Sequence, residues 1–256
     1  MGSKRPAVVV GMGELGTVFA GGLLKLGHPV FSVLRGQTIR DATIDGSPDL
    51  VIVAVGEDDL DSVLRSHPAP AHDLVLMQNE LLPGVWERHG LTTPNVVVVW
   101  FEKKPGRAIH TVLPTVLSGP RANQLASLLD AVGVSHRRVD PGDLLFELIK
   151  KNLYILVHNV CGLVVDATVE QLWNEHEALA EEVASEVLAL QFALGGKRFD
   201  SSPLMRALKA AVAADPGHAC AGRTAPLRLR RALAQASEVS LSLPRLVSIE
   251  RGLLRG

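Results

Sequence analysis

A stretch near the start of the chain has the residue types and spacing of a phosphate-binding turn. It reads Gly11, Met12, Gly13, Glu14, Leu15 and Gly16. In such a Gly-x-Gly-x-x-Gly turn the first glycine permits a tight bend, the second lets the main chain approach a pyrophosphate, and the third lets a helix pack on a strand. The N–H groups of the following helix start would face the phosphates. The motif predicts a dinucleotide site, with an empty glycine-rich turn as the alternative.

Arg35 stands where the second strand of this motif ends. Enzymes that bind NAD usually place an acidic residue there for the ribose 2′-hydroxyl, whereas an arginine favours a 2′-phosphate. Gln37, Thr38 and Arg40 follow as further hydrogen-bond donors. The sequence therefore predicts NADP as the cofactor, and a solvated loop arginine is the alternative.

A second group of candidate residues lies in an apolar stretch with helical periodicity. Lys151 and Asn159 are spaced to share one face of that helix, and Lys150 and His158 share the neighbouring face. A lysine in so apolar a helix needs a partner or a function. Near a reacting carbonyl, its ammonium group could protonate or stabilise a developing alkoxide. The alternative is two lysines that extend their charged ends into solvent.

Both groups need elements that position them. Apolar runs typical of strands occupy residues 7–10, 30–34, 50–55, 73–77, 95–101, 109–113, 115–117 and 134–138. Helical stretches separate several of them, which predicts an α/β fold with a Rossmann-type, doubly wound and mainly parallel sheet. Gln78 and Asn79 follow the fourth strand, at the edge of the sheet where such folds bind ligands.

The pattern changes at Asp140. The segment Asp-Pro-Gly-Asp has the residues of a helix start, and only helical periodicity follows it. We therefore expect a dinucleotide-binding (Rossmann) domain over residues 1–139 and an all-α substrate or dimerisation domain over residues 140–256.

The composition narrows the range of partners. A net charge of −1 argues against nucleic acid or an anionic membrane surface as the main partner. The sequence has no apolar segment long enough to predict a membrane span. The two cysteines, Cys161 and Cys220, are too few for a disulfide framework and favour a reducing compartment, hence the cytoplasm. The nine histidines show no metal-ligand spacing, so no metal site is expected.

These features together resemble the ketopantoate reductases. The glycine motif, the strand-end Arg35, the strand followed by Gln78 and Asn79, and the lysine helix occur in that family's order. The resemblance implies an NADPH-dependent oxidoreductase that reduces a small 2-oxo acid or related carbonyl in a cleft between two domains. By position, Lys151 resembles the catalytic lysine, Asn159 the asparagine eight residues further along, and Asn79 the asparagine near the nicotinamide and substrate.

The chain also departs from that family. It has Ile155 where an asparagine is usual, Glu80 where a glycine follows the asparagine, and Gly56 where a lysine is common. A glutamate expected after a Gly-Arg-Thr stretch is absent, since Ala225 and Pro226 follow Thr224. A site without such a polar partner discriminates its substrate less well.

Two functional hypotheses remain open. One is the reductase; the other is a catalytically degenerate NADP-binding protein that acts as a sensor or assembly partner. Residues that could replace the absent glutamate are Glu80, Glu102, His110, His158 and His218, although a structural or solvated role is the simpler interpretation of each. Long apolar helices in the second domain make a homodimer plausible by analogy of fold.

Overall fold

The chain forms two compact units, Met1–Glu147 and Leu148–Gly256. Its structure is a computed structural model that describes residues 4–42, 47–66 and 71–254. The helix α6 (Pro141–Cys161) runs across the division between the units. The predicted boundary after residue 139 falls just before the start of this helix.

The first unit is built on a seven-stranded sheet. Its strands are β1 (Ala7–Val10), β2 (Val30–Val33), β3 (Val51–Val53), β4 (Leu74–Leu76), β5 (Asn95–Val98), β8 (Thr115–Ser118) and β9 (His136–Arg138). They lie in the order β2-β1-β3-β4-β5-β8-β9. Strands β5 and β8 pair antiparallel, and the other neighbours pair parallel. The predicted mainly parallel, Rossmann-type sheet is confirmed.

The predicted strand over residues 95–101 is two strands in the structure. Strand β5 ends at Val98, and a two-stranded hairpin is formed by β6 (Phe101–Glu102) and β7 (His110–Thr111). Between them Trp100 is buried, and its backbone N–H donates to Thr115 Oγ1 at 3.1 Å. The apolar run extends over both strands because the residues of 95–101 are buried throughout. The pairing strand changes along the run, since β5 pairs with β8 and β6 pairs with β7.

Helices cover the sheet of the first unit. They are α1 (Glu14–Lys25), α2 (Ile39–Ala42), α3 (Glu57–Arg65), α4 (Pro83–Glu87) and α5 (Ala122–Ala131). Phe19 and Leu23 of α1 share a buried cluster with Leu125 and Leu128 of α5 and with Ile52 of β3. Burial of such side chains supplies most of the driving force that fixes α1, and hence its first turn, on the sheet.

The second unit is helical. After α6 come α7 (Val169–Glu175), α8 (Glu177–Gly195), α9 (Ser201–Ala214), α10 (Ala225–Glu238) and α11 (Pro244–Leu253). Asn152 of α6 donates to Gln191 of α8 at 2.8 Å, a hydrogen bond that satisfies two buried amides. The predicted all-α composition is thus observed for this part of the chain. Among the described residues, no helix is long and apolar enough to cross a membrane.

Candidate functional site

The turn between β1 and α1 needs glycine at two of its three motif positions. Gly11 has a φ of +88°, and a Cβ there would lie 2.7 Å from the Ala54 carbonyl oxygen. A Cβ on Gly16 would lie 1.9 Å from the Gly11 carbonyl oxygen. Real Cβ atoms do not approach that closely, so the turn and the packing of α1 both depend on these glycines.

Gly13 differs from its neighbours because a Cβ there would meet nothing within 4 Å. It is the N-cap of α1 and provides no side-chain cap. The first-turn N–H groups, which include those of Glu14 and Leu15, therefore have no acceptor from the cap residue. An open face above N–H groups that have no acceptor from the cap residue is what a pyrophosphate requires. The residues of this turn fit a dinucleotide.

A cleft of about 570 Å³ opens beside this turn, at the carboxyl ends of β1 and β2. Its walls come from the glycine turn, from the loop after β2 and from α3. The residues that line it are Val10, Gly11, Met12, Val33, Leu34, Arg35, Gly36, Gln37, Thr38, Val55, Asp59, Ser62, Val63 and Ser66. In open α/β sheets this is the edge where ligands bind, next to the point where the strand order reverses.

The loop after β2 carries Arg35 into the cleft. Gly36 has a φ of +86°, and the side-chain oxygen of Gln37 accepts the Leu34 N–H at 2.8 Å, which fixes the turn. The predicted donors Gln37 and Thr38 line the cleft, whereas Arg40 lies in α2 and is not among the described lining residues.

Asp59 was not predicted as a site residue, yet it also lines the cleft. Its carboxylate accepts a hydrogen bond from Arg35 Nη2 at 3.2 Å. In the sequence it is one of three consecutive acids, Glu57, Asp58 and Asp59, at the start of α3. Acids there favour the positive end of a helix, so the sequence offers an ordinary reason for them. No signal in the sequence separates Asp59 from the other two acids, because its contact with Arg35 depends on tertiary packing.

Asn79 lies just beyond the carboxyl end of β4 and is partly exposed. Gln78 anchors this segment, since its Nε2 donates to the carbonyl oxygens of Val53 at 2.8 Å and Val55 at 3.2 Å. Within the described residues, no hydrogen bond engages the Asn79 side chain. Its amide is therefore placed at the ligand-binding edge with both its donor and its acceptor available.

Glu80 follows Asn79 with a φ of +59°, in the left-handed region. A side chain costs about 1–2 kcal/mol in this conformation, and glycine is the residue that adopts it freely. The main chain thus keeps a shape suited to glycine although the residue is glutamate. Such strain at the ligand-binding edge of a sheet is typical of functional loops.

The lysine helix is α6. Lys150 is buried, with 9% of its surface exposed, and Lys151 is partly exposed. Lys151 Nζ lies 5.8 Å from the centre of the Tyr154 ring, close enough for a cation–π attraction. Asn159 Nδ2 donates to the Cys220 carbonyl oxygen at 3.3 Å, and so ties α6 to the segment before α10. The neighbouring Ile155 is buried.

Solved structures with the same fold cover nearly all of the chain. A 2-dehydropantoate 2-reductase from Methylococcus capsulatus is 17% identical, with a TM-score of 0.67 over 97% of this chain and 95% of that one. The same TM-score, at 16% identity over 98% of each chain, is found for a dimeric ketopantoate reductase from Staphylococcus aureus. The chain has the ketopantoate reductase fold. A 2-dehydropantoate 2-reductase from Porphyromonas gingivalis gives 0.66 at 16% identity, over 98% of this chain and 100% of that one. No family model matches the sequence, and no curated protein does.

Within this fold, the segment expected to hold a glutamate begins helix α10. Thr224 is its N-cap, Ala225 is fully buried, and no acid occupies its first turn. A carboxylate at residue 225 would have to be buried in this arrangement. The absence of this acid in the sequence therefore coincides with a buried, apolar start of α10.

The other candidate acids and histidines have structural partners. Glu102 forms an ion pair with Lys104 at 2.9 Å, and His218 lies 3.6 Å from Asp215. His158 is buried, and its Nε2 accepts a hydrogen bond from Trp173 Nε1 at 3.1 Å. Burial lowers the pKa of His158 to about 4. This histidine is neutral at pH 7 and is poorly placed to carry protons. Among the described residues, no group of three or more potential ligands could hold a metal ion.

Proposed function

We propose that the protein is an NADPH-dependent oxidoreductase that reduces a small 2-oxo acid or a related carbonyl. The observation that carries the proposal is the pairing of an open, uncapped α1 N-terminus at Gly13 with a cleft that contains Arg35. The ketopantoate reductase fold of the whole chain supports it.

The cofactor would be held by the main chain of the glycine turn and by Arg35. The first-turn N–H groups of α1 would bind the pyrophosphate. Arg35 would bind the 2′-phosphate, because guanidinium and phosphate form short, charge-assisted and often bidentate hydrogen bonds. NADPH, when bound, would supply the hydride that reduces the substrate carbonyl.

The remaining chemistry needs a proton and a way to orient the substrate. We assign the proton donor to Lys151, whose ammonium group would transfer a proton to the carbonyl oxygen as negative charge develops there. Asn79 and Asn159 would orient the substrate through their amides. Asn159 keeps its side-chain oxygen for this role, because its contact with Cys220 uses the Nδ2 group.

Consumption of NADPH with a panel of 2-oxo acids and imines tests the proposal. We expect turnover with at least one compound and a loss of about 100-fold or more in kcat for Lys151→Ala. Lys150→Ala is the matched control, since it removes the same group from the neighbouring residue and should leave more activity. Tight NADPH binding without turnover of any compound would refute the reductase. Equal activity of Lys151→Ala and wild type would refute only the role of that lysine.

A second function is favoured by the start of α10 and by Ile155. Ala225 is buried with no acid in the first turn, and Ile155 is a buried apolar residue where the resemblance leads one to expect an asparagine. These features fit a protein that binds NADP as a sensor or assembly partner and has lost catalysis. NADPH binding that changes association with a partner, in the absence of turnover, would favour this alternative.

We also propose a cytoplasmic homodimer with a small molecule as substrate. The Staphylococcus aureus structure of the same fold is of a dimeric enzyme, and both cysteines of the chain are free thiols. Light scattering coupled to size-exclusion chromatography would give the mass in solution, and the mass of a single chain would contradict the dimer.

A further inference from the structure

Asp59 shares the cofactor cleft with Arg35 and binds it. The two side chains come from different elements, since Arg35 follows β2 and Asp59 belongs to the first turn of α3. Their contact of 3.2 Å lies within the cleft lining. In this structure the guanidinium that would receive a 2′-phosphate therefore already has an anionic partner.

This ion pair is easily exchanged. The side chains are 91% exposed for Arg35 and 55% exposed for Asp59, so solvent screens their attraction. Pairs of this kind contribute little to stability. A phosphate group carries more charge and offers several acceptor oxygens, and it can therefore displace a single carboxylate from an arginine.

The displacement still has a cost. When Arg35 turns to a 2′-phosphate, it gives up its contact with Asp59, and the carboxylate remains close to a second anion. Like charges at short distance repel, and solvent reduces this repulsion without abolishing it, so a modest effect is expected. A cofactor without the 2′-phosphate incurs neither penalty, because the Arg35–Asp59 pair stays intact.

We propose that Asp59 is a specificity-determining residue that competes with the 2′-phosphate for Arg35 and so narrows the preference for NADPH over NADH. The inference rests on the proposed function, in which Arg35 binds that phosphate. The inference goes beyond the proposed function because the cofactor preference then depends on two residues from different elements, and Asp59 opposes the effect of Arg35.

Asp59→Asn tests this competition by removing the charge with little change in shape. Calorimetric titration would use NADPH and NADH, with 2′,5′-ADP and 5′-AMP as probes of the adenosine half alone. We expect the Kd for NADPH and for 2′,5′-ADP to fall about fivefold. The Kd for NADH and for 5′-AMP should stay within about twofold of wild type, because no 2′-phosphate is present.

The chain offers a matched control in Asp58→Asn. Asp58 is exposed and precedes Asp59 in the same helix turn, but it is not among the described residues that line the cleft. Its substitution changes the net charge by the same amount and should alter NADPH affinity by less than about twofold. An equal gain in both variants would overturn the competition and leave only a general effect of charge.

A second control uses Arg35→Gln. If Asp59 acts through Arg35, Asp59→Asn should give no gain in NADPH affinity in the Arg35→Gln background.

An unchanged NADPH affinity of Asp59→Asn in the wild-type background would refute the inference while the proposed cofactor stands. A loss of NADH affinity would also refute it and would assign Asp59 to the ribose hydroxyl. A wild-type protein that binds neither dinucleotide would refute the proposed function itself.

Discussion

The glycine turn and the lysine helix differ in how their polar groups are used. At the turn, Gly13 faces open space and the N-terminus of α1 has no side-chain cap. On α6, the amide of Asn159 binds a main-chain carbonyl, and His158 is buried against Trp173. The turn therefore leaves its hydrogen-bonding groups for a ligand, whereas much of the polar side of α6 serves the packing of the helical unit. The contrast separates a turn that is open to the proposed cofactor from a helix whose polar groups largely have partners within the protein.

The largest effect that can test this contrast comes from Gly16→Ala. The added Cβ would meet the Gly11 carbonyl oxygen at 1.9 Å, so the turn or the helix must move. We expect the free energy of unfolding to fall by about 3 kcal/mol and NADPH binding to be lost. Urea unfolding and calorimetric titration would measure the two effects.

Gly21→Ala is the control for this substitution, because it adds the same methyl group to the same helix. A Cβ on Gly21 would meet nothing within 4 Å, and alanine is the better helix former. The variant should be as stable as wild type or more stable, by up to about 1 kcal/mol. A similar loss of stability in both variants would show that close packing at Gly16 is not the cause.

Gly13→Ala should separate binding from stability. Because nothing lies near the new Cβ and the φ of −71° suits alanine, the free energy of unfolding should change by about 1 kcal/mol or less. NADPH affinity should nevertheless fall by about tenfold or more, since the methyl group would stand where the phosphates approach. An unchanged affinity would contradict the assignment of this turn to the pyrophosphate.

His158 gives the corresponding test in the helical unit, through the dependence of stability on pH. Its pKa is about 4 in the folded protein, because of burial, against 6.5 for the free side chain. A pKa that is lower in the folded state means that the unfolded chain binds the proton more tightly. The contribution of His158 is therefore present above pH 6.5 and is lost as the pH falls from there towards 4.

Because the unfolded chain binds a proton at this histidine before the folded protein does, we expect the free energy of unfolding to fall by about 2 kcal/mol when the pH is lowered from 7 to 5. His158→Gln should reduce this dependence of the free energy of unfolding on pH. Because the substitution also weakens the contact with Trp173, the comparison uses the slope of the free energy of unfolding against pH and not its absolute value. An equal slope in both proteins would show that His158 is not a buried neutral group, and would reopen a role for it in proton transfer.

The sequence predicted the fold and the glycine turn because both depend on local patterns. Buried parallel strands appear as continuous apolar runs, and the glycines are required by contacts within one strand-turn-helix unit. The contact between Arg35 and Asp59 joins residues separated by 24 positions, and the contact between Asn159 and Cys220 joins residues separated by 61. Such pairs depend on tertiary packing, and no spacing rule in a single sequence reveals them.

The smallest expected effect concerns Glu80, at the ligand-binding edge of the Rossmann unit. Its φ of +59° suits glycine, and Glu80→Gly removes the strain at the cost of extra freedom in the unfolded chain. The net gain in the free energy of unfolding should be about 0.5–1 kcal/mol. If the carboxylate serves only the turn, NADPH binding and turnover stay unchanged in this variant. If turnover falls while NADPH affinity and stability do not, Glu80 takes part in binding the substrate. The strained backbone at residue 80 would then be retained because it positions that carboxylate.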